Sequence, residues 1–361
     1  MRAAVTRIVP PLALIVVPVI ALVIMFRISY ASGGLAIDFQ TEIYPEAQEL
    51  LKGQNPFPEP TADLTQASNH IWPPLVGYVA APLTLFSPNV ANVIIVFAGL
   101  ISFGAALWTV GVRDWRVYGA SVMWGPVISE MKVAHLSLVL CLLVALVWRT
   151  RTRTAIPGIA LGVAVGLKFF LWPLIVWLLA VRRWREAGIA AATAAASLLL
   201  VLPFISIFEY ARLLRRLGSA FDYFSFTPYG ILAQAGAPGT FSRIASLAIG
   251  LAVLALAWRR HSFTLFVAAA LLLSPIVWFD YFALTAIPLA VVRPKFSWVW
   301  LLPILTWGVS LPGVGIDVLT NGIRVLAVFG VVIWYAERHE AHLRSLEERD
   351  DPSTHARVVR A

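Results

Sequence analysis

The chain has 361 residues, of which 60% are hydrophobic and 13% charged, a balance that excludes an ordinary soluble domain and points to a polytopic membrane protein. The formal net charge of +9 is dispersed as short basic clusters between apolar runs, the pattern of cytoplasmic membrane loops rather than of a nucleic-acid-binding face. Its one cysteine, Cys141, lies inside an apolar run, which excludes a disulfide framework.

Arg2 and Arg7 precede the first apolar run, Ile8 to Phe26. That run approaches the roughly 20 residues of a spanning helix, so it reads as an uncleaved first span rather than a secretory leader. The stretch Ile37 to Pro58 follows, with Asp38 at its head. A carboxylate just past a span is rarely placed by packing, because the hydrocarbon edge penalises a charge without water, partner or substrate. Asp38 is therefore a candidate catalytic base, with a solvated or capping carboxylate as the other reading. Behind it, Tyr44 to Lys52 is expected to form a short helix lying along the bilayer surface and stopped by Gly53. Its apolar face would carry Ile43, Ala47, Leu50 and Leu51, and its polar face Glu42, Glu46 and Glu49.

Further spans are suggested at Trp72–Phe86, Val90–Val112, Ala134–Trp148, Ile156–Val181, Ala187–Ile207, Ile244–Trp258, Phe263–Trp278, Phe282–Val292, Trp298–Leu311 and Val318–Tyr335. Val117–Val127 reads as a half-length helix, and Trp124 to Lys132 as a broken or re-entrant segment. The fold class is all-α, an integral membrane protein of about ten to twelve transmembrane helices. Residues 1–336 form the transmembrane domain, with 27–70 as an outward loop, and 337–361 a charged cytoplasmic tail. The basic loops at Arg149 to Arg153, Arg182 to Arg185, Arg259 and Arg260, and Arg293 and Lys295 are assigned to the cytoplasm. Arg113 and Arg116 do not fit simple alternation.

With that orientation, His70, Glu130, Lys132, His135, Lys168, Asp222 and Asp280 all approach the outer side, where Asp38 sits. Each also has a plainer reading. The run His70, Ile71, Trp72, Pro73, Pro74 is an interfacial anchor and helix start, or brings His70 to a phosphate. Glu130, Lys132 and His135 read equally as a capping and ion-pairing cluster. Lys168 lies in an apolar stretch with Gly158, Gly162 and Gly166, where a lysine must snorkel, pair with an acid or meet an anionic ligand. Asp280, after Ser274, Pro275 and Trp278, is an exposed acid at a kink or a substrate contact. Glu209, Arg212, Arg215 and Arg216 fit an amphipathic surface helix. The phosphate-loop, zinc-helix and nucleophile-elbow patterns are missing, and the histidines lack metal-ligand spacing, so no metal site and no cofactor is assigned.

Four groups of residues, each loose by itself, recur in a recognisable order. They are Asp38 and Phe39 with Leu51 to Phe57; Trp72, Pro73 and Pro74; Gly162 to Lys168 followed by Arg182, Arg183 and Trp184; and Ser274 to Trp278. In this order the chain resembles the GT-C superfamily of polytopic glycosyltransferases, particularly the bacterial alpha-mannosyltransferase family that includes phosphatidylinositol-mannoside enzymes. The resemblance implies a hexosyltransferase of the bacterial inner membrane with its active site facing outward. It would transfer mannose, or a pentose such as arabinose, with inversion from a polyprenyl-phosphate sugar co-substrate to a lipid or glycan acceptor. It implies Asp38 as base and Lys168 as the cation beside the departing phosphate, with His70 next and His135 or Lys132 after it. Trp72 and Asp280 would contact substrate. One departure stands out, because the family often carries a Gly-Gln pair followed shortly by an Asn where this chain has Lys132, Val133, Ala134, His135, Leu136 and Ser137. Competing readings are a transporter or flippase of a lipid-linked sugar, a polysaccharide polymerase or ligase, and a structural membrane protein indifferent to loss of Asp38 and Lys168.

Overall fold

The computed structural model of the chain describes residues 2–66, 71–153, 155–309 and 318–350, and every regular element among them is helical. The bundle has two chemically distinct ends. One carries the basic loops, and the other carries Asp38.

Helix α1 (Arg2–Ala31) includes a 19-residue segment, Ala13–Ala31, long and apolar enough to cross a membrane. It runs past the expected end at Phe26. A wide helical turn over Phe39–Ile43 leads into α2 (Tyr44–Leu51). The expected faces of α2 are partly reversed, because Glu46 is buried whereas Leu51 is 61% exposed. Helix α2 packs on α3 (Pro74–Ala80), so its inner face meets protein rather than lipid.

The segment Trp72–Phe86, expected as a span, begins and ends at the Asp38 end. Trp72 donates its indole N–H to Glu42 at 3.0 Å, while the carbonyl of Phe86 accepts the Tyr44 hydroxyl at 2.8 Å. The next crossing is therefore α4 (Pro88–Thr109), which meets the span criteria in full and starts where Asn92 donates to the carbonyl of Leu35. This places Arg113 and Arg116 at the basic end. There Asp114 pairs with Arg116 at 2.8 Å and accepts the N–H of Phe296 at 3.0 Å. Because Trp72–Phe86 does not cross, Arg113 and Arg116 fit simple alternation.

The chain returns through α5 (Trp115–Val122) and α6 (Gly125–Val133); the expected half-length helix Val117–Val127 is split between them at Met123 and Trp124, and the segment expected to be broken, Trp124–Lys132, is mostly α6. It then runs down α7 (Ser137–Arg149) and up α8 (Ala155–Leu167). The expected single span Ile156–Val181 is interrupted at Lys168, whose φ of −150° and ψ of 105° are extended, before α9 (Pro173–Ala180). Helix α10 (Trp184–Leu198) lies along α8 in parallel. Gly158, Gly162 and Gly166 recur every four residues on the contact face, against Ile189, Thr193 and Ser197, which lets the two backbones approach closely. A side chain at Gly162 would meet the carbonyl of Ala190 at 2.7 Å. Gly162→Val is expected to cost about 1–3 kcal/mol through overpacking and to lower the thermal midpoint in detergent. An unchanged midpoint would show that this contact is loose.

Helix α11 (Ile207–Phe221) opens with a capping box between Ser206 and Glu209. Its Arg216 donates to the carbonyls of Pro60 and Ala62 and so ties down the first loop. Then come α12 (Pro228–Gln234), the full-length α13 (Gly239–Arg260) and α14 (Phe263–Leu273). Helix α14 stops before Ser274 rather than continuing to Trp278, since Pro275 cannot supply the next N–H. A tight helical segment, Phe279–Thr285, leads into α15 (Ala286–Val292), and Trp298–Thr306 precedes α16 (Val318–Asp350).

Among the described residues five helices are long and apolar enough to span a membrane. Shorter apolar helices lie between them, so the expected count does not map one to one onto the elements. The expected boundary before Glu337 falls inside α16 and marks no break in it. Glu337 and Glu340 are buried against the start of α14, where Glu340 accepts the N–H groups of Phe263 and Thr264 at 3.0 Å each. Those are orphan donors of a helix N-terminus, which explains acids so deep in the bundle.

Candidate active site

Asp38, His135, Lys168 and Asp280 stand at or just after interruptions of regular α-helix. Backbone that leaves the helix inside a membrane bundle is tolerated where it is buried in protein or lines a cavity, so these breaks converge for a reason. Asp38 follows Ala36, which has a φ of 51° and donates its N–H to the carbonyl of Met131 at 3.1 Å. His135 lies between Ala134 and Leu136, both with positive φ, 56° and 68°. Left-handed backbone at residues other than glycine is strained, and here it separates α6 from α7 and turns His135 inward. Lys168 sits at the break between α8 and α9, and Asp280 follows the Pro275 interruption.

The imidazole of His135 joins two of these acids. Its Nε2 lies 2.7 Å from Asp38 Oδ2, and its Nδ1 lies 3.3 Å from Asp280 Oδ1. An imidazole with a carboxylate at each nitrogen donates from both, so His135 acts here as a cation shared by the two acids. The Ser137 hydroxyl donates to the second oxygen of Asp280 at 2.6 Å. Glu130 accepts the N–H of Ser137 at 2.8 Å and so bridges the break before α7, in agreement with the capping reading of that cluster. Asp280 is 1% exposed, whereas the Asp38 side chain keeps 25% of its surface, so Asp38 is the acid a substrate can reach.

Beside this relay lies Lys168, 8% exposed. Its ammonium donates to the Tyr281 hydroxyl at 2.7 Å and sits 3.8 Å from the centre of the Trp72 ring. Tyr281 is itself stacked on Phe170 at 4.8 Å. Among the described residues Lys168 forms no direct ion pair; π faces and one hydroxyl touch its ammonium, while the nearby acids, Asp280 foremost, act on it from farther away. Trp72 also packs against His135, with ring centres 5.3 Å apart, and its N–H is fixed by Glu42. Burial, followed by the nearness of Asp38, pushes the Glu42 carboxyl up to about 8, so at neutral pH Glu42 is mostly uncharged.

Asp38, Trp72, His135, Lys168 and Asp280 are thus brought together. Lys132 is not, being half-buried with no hydrogen bond or ion pair to the cluster. His70 lies outside the described residues. Asp222 pairs with Arg243 at 2.9 Å, away from the cluster. Sequence reasoning did not single out Glu42, Ser137 or Tyr281. Glu42 is one helical turn after Asp38 and Tyr281 adjoins Asp280, signals that become readable once their neighbours are placed. Among the described residues no group of three or more His, Cys, Asp or Glu side chains is arranged to hold a metal ion.

Residues 70–292 match glycosyltransferase family 87 over more than half of the chain. The chain belongs to this family. No curated protein and no solved structure matches it. As a family 87 member it is a membrane glycosyltransferase of the GT-C type, in agreement with the resemblance at that level. The family 87 segment includes Trp72, His135, Lys168 and Asp280, while Asp38 precedes it and enters the site through its contact with His135.

Proposed function

We propose that the chain transfers a hexose, with mannose preferred, from a polyprenyl-phosphate sugar to a hydroxyl of a lipid or glycan acceptor, with inversion at the anomeric carbon. The observation that carries this reading is the pairing of an accessible carboxylate, Asp38, with a buried cation, Lys168, that makes no direct ion pair among the described residues. The acceptor hydroxyl attacks the anomeric carbon as its proton passes to Asp38. The new carbon–oxygen bond forms while the bond to the phosphate oxygen breaks, and the phosphate leaves with the electron pair. A phosphate leaving group needs no proton from a second acid, so one base suffices. This differs from glycoside hydrolysis, where two carboxylates flank the bond.

Negative charge grows on the phosphate during the reaction. A fixed cation beside it therefore stabilises the transition state more than the ground state. Lys168 fits that task because its contacts with Trp72 and Tyr281 orient it without neutralising it. The basic loops gather at the opposite end of the bundle, and the positive-inside tendency would then put the site on the outer side of a bacterial inner membrane.

His135 is assigned a positioning role, holding Asp38 against a second, buried acid. His135→Gln removes the shared cation and is expected to lower kcat about 10²-fold, the scale of a misplaced reacting group. It should also alter the pH profile of kcat, which a merely structural role would leave alone. Unchanged kcat and profile would remove His135 from the mechanism. The reaction class is tested by incubating purified protein with polyprenyl-phosphate mannose and determining the product's anomeric configuration. Opposite configuration to the donor is expected, and a retained one would contradict single displacement with Asp38 as base.

A further inference from the structure

Away from the relay, a pocket of about 390 Å³ opens at the same end of the bundle, between α11, the first turns of α13 and the end of α14. Arg215, Ser219, Asp222 and Arg243 form its polar wall, and Leu247 and Leu273 line its apolar side. Arg243 pairs with Asp222 at 2.9 Å and lies 5.4 Å from the centre of the Tyr229 ring. Arg215 is exposed and makes no hydrogen bond or ion pair among the described residues. Two guanidinium groups thus face one carboxylate, leaving one positive charge in excess.

A second pocket of about 470 Å³, almost wholly apolar, lies next to the first and shares Leu272 with it as a wall. Ile249, Val253, Phe282 and Phe329 line it. Ser246 of the polar pocket and Ile249 and Val253 of the apolar one recur at helical spacing, so both pockets follow one face of α13. The same helix exposes Phe241, Ile244 and Leu247. On a membrane-spanning helix such residues face lipid. An excess cation at the rim of an apolar cavity, on a helix bordered by lipid, matches an amphiphile with an anionic head. The reacting sugar is assigned elsewhere, because neither pocket has Asp38, His135 or Lys168 in its lining.

We propose that this pair of pockets binds a bilayer phospholipid with an anionic headgroup, its phosphate at Arg215 and Arg243 and an acyl chain in the apolar cavity. That this lipid is distinct from the sugar donor rests on the assignment of the donor phosphate to Lys168. Arginine suits the role because its planar fork meets phosphate oxygens two at a time.

The test uses the full chain purified in detergent, offered phosphatidylglycerol and phosphatidylcholine in equal amounts, with bound lipid counted by native mass spectrometry. Retention of phosphatidylglycerol is expected to exceed that of phosphatidylcholine about tenfold, and Arg215→Gln should reduce the excess by a similar factor, the scale of one lost charge-assisted contact. Arg215 is exposed and makes no hydrogen bond or ion pair among the described residues, so the variant should fold as the parent does, and Arg243→Gln should add to the loss. Lys168→Ala should leave phosphatidylglycerol retention unchanged, which separates this site from the donor site. Equal retention of the two lipids, or an Arg215→Gln protein that retains phosphatidylglycerol as the parent does, would overturn the proposal. Displacement by inorganic phosphate alone would make it an ion site. Displacement by polyprenyl phosphate at equal concentration would give the groove to the donor instead.

Discussion

Asp38→Asn is expected to lower kcat by about 10²- to 10⁴-fold, the usual contribution of a positioned general base. The substitution keeps the shape of the side chain, and the amide oxygen can still accept from His135 Nε2, so the relay to Asp280 persists. What is lost is the capacity to take a proton. The effect should therefore fall on kcat and on kcat/KM alike, with little change in the apparent affinity for either substrate. The thermal midpoint should move little, since the carboxylate is partly open to solvent and its one buried contact is retained. If Asp38 were only a solvated or capping acid, the variant would turn over at the parent rate.

Lys168→Ala is expected to lower kcat/KM for the donor by about 10²- to 10³-fold, the cost of removing one preorganised charge from a developing anion. The ammonium is buried between Tyr281 and Trp72, where water cannot replace it. Use of the acceptor should suffer less, because acceptor binding does not involve the phosphate. Lys168→Arg is not expected to restore the rate. The compact ammonium sits 3.8 Å from the Trp72 ring centre and 4.9 Å from that of Tyr281, a space that does not suit a planar fork on a different stem. A Lys168→Ala protein with an unchanged kcat/KM for the donor would remove this residue from the phosphate.

The helical class was readable from composition because a chain this apolar can satisfy its backbone in a bilayer only within helices or a closed barrel. Asp38 and Lys168 were readable for the same reason, as charges placed where hydrocarbon penalises them. Their partners were not. Whether His135 caps α7 or joins Asp38 to Asp280 depends on two positive-φ residues, Ala134 and Leu136, that no propensity marks. The spacing of Glu42 fits a polar face, yet α2 is covered by α3 and Glu42 turns into the site. Trp72–Phe86 has the hydropathy of a span but returns to its own side, and this one misreading also displaced Arg113 and Arg116. Glu337 and Glu340 read as the start of a solvated tail because a sequence does not reveal that the first N–H groups of another helix, those its Ser262 cap leaves over, are satisfied from here.

The measurement that bears most directly on the proposed activity is transfer of radiolabelled sugar from polyprenyl-phosphate mannose to a membrane-lipid extract by the purified chain. Label in a new product, with polyprenyl phosphate released in equal amount, is the expected result. Donor recovered intact, with the protein folded and the lipid-linked sugar merely moved across a reconstituted bilayer, would contradict it and make the chain a transporter of that donor.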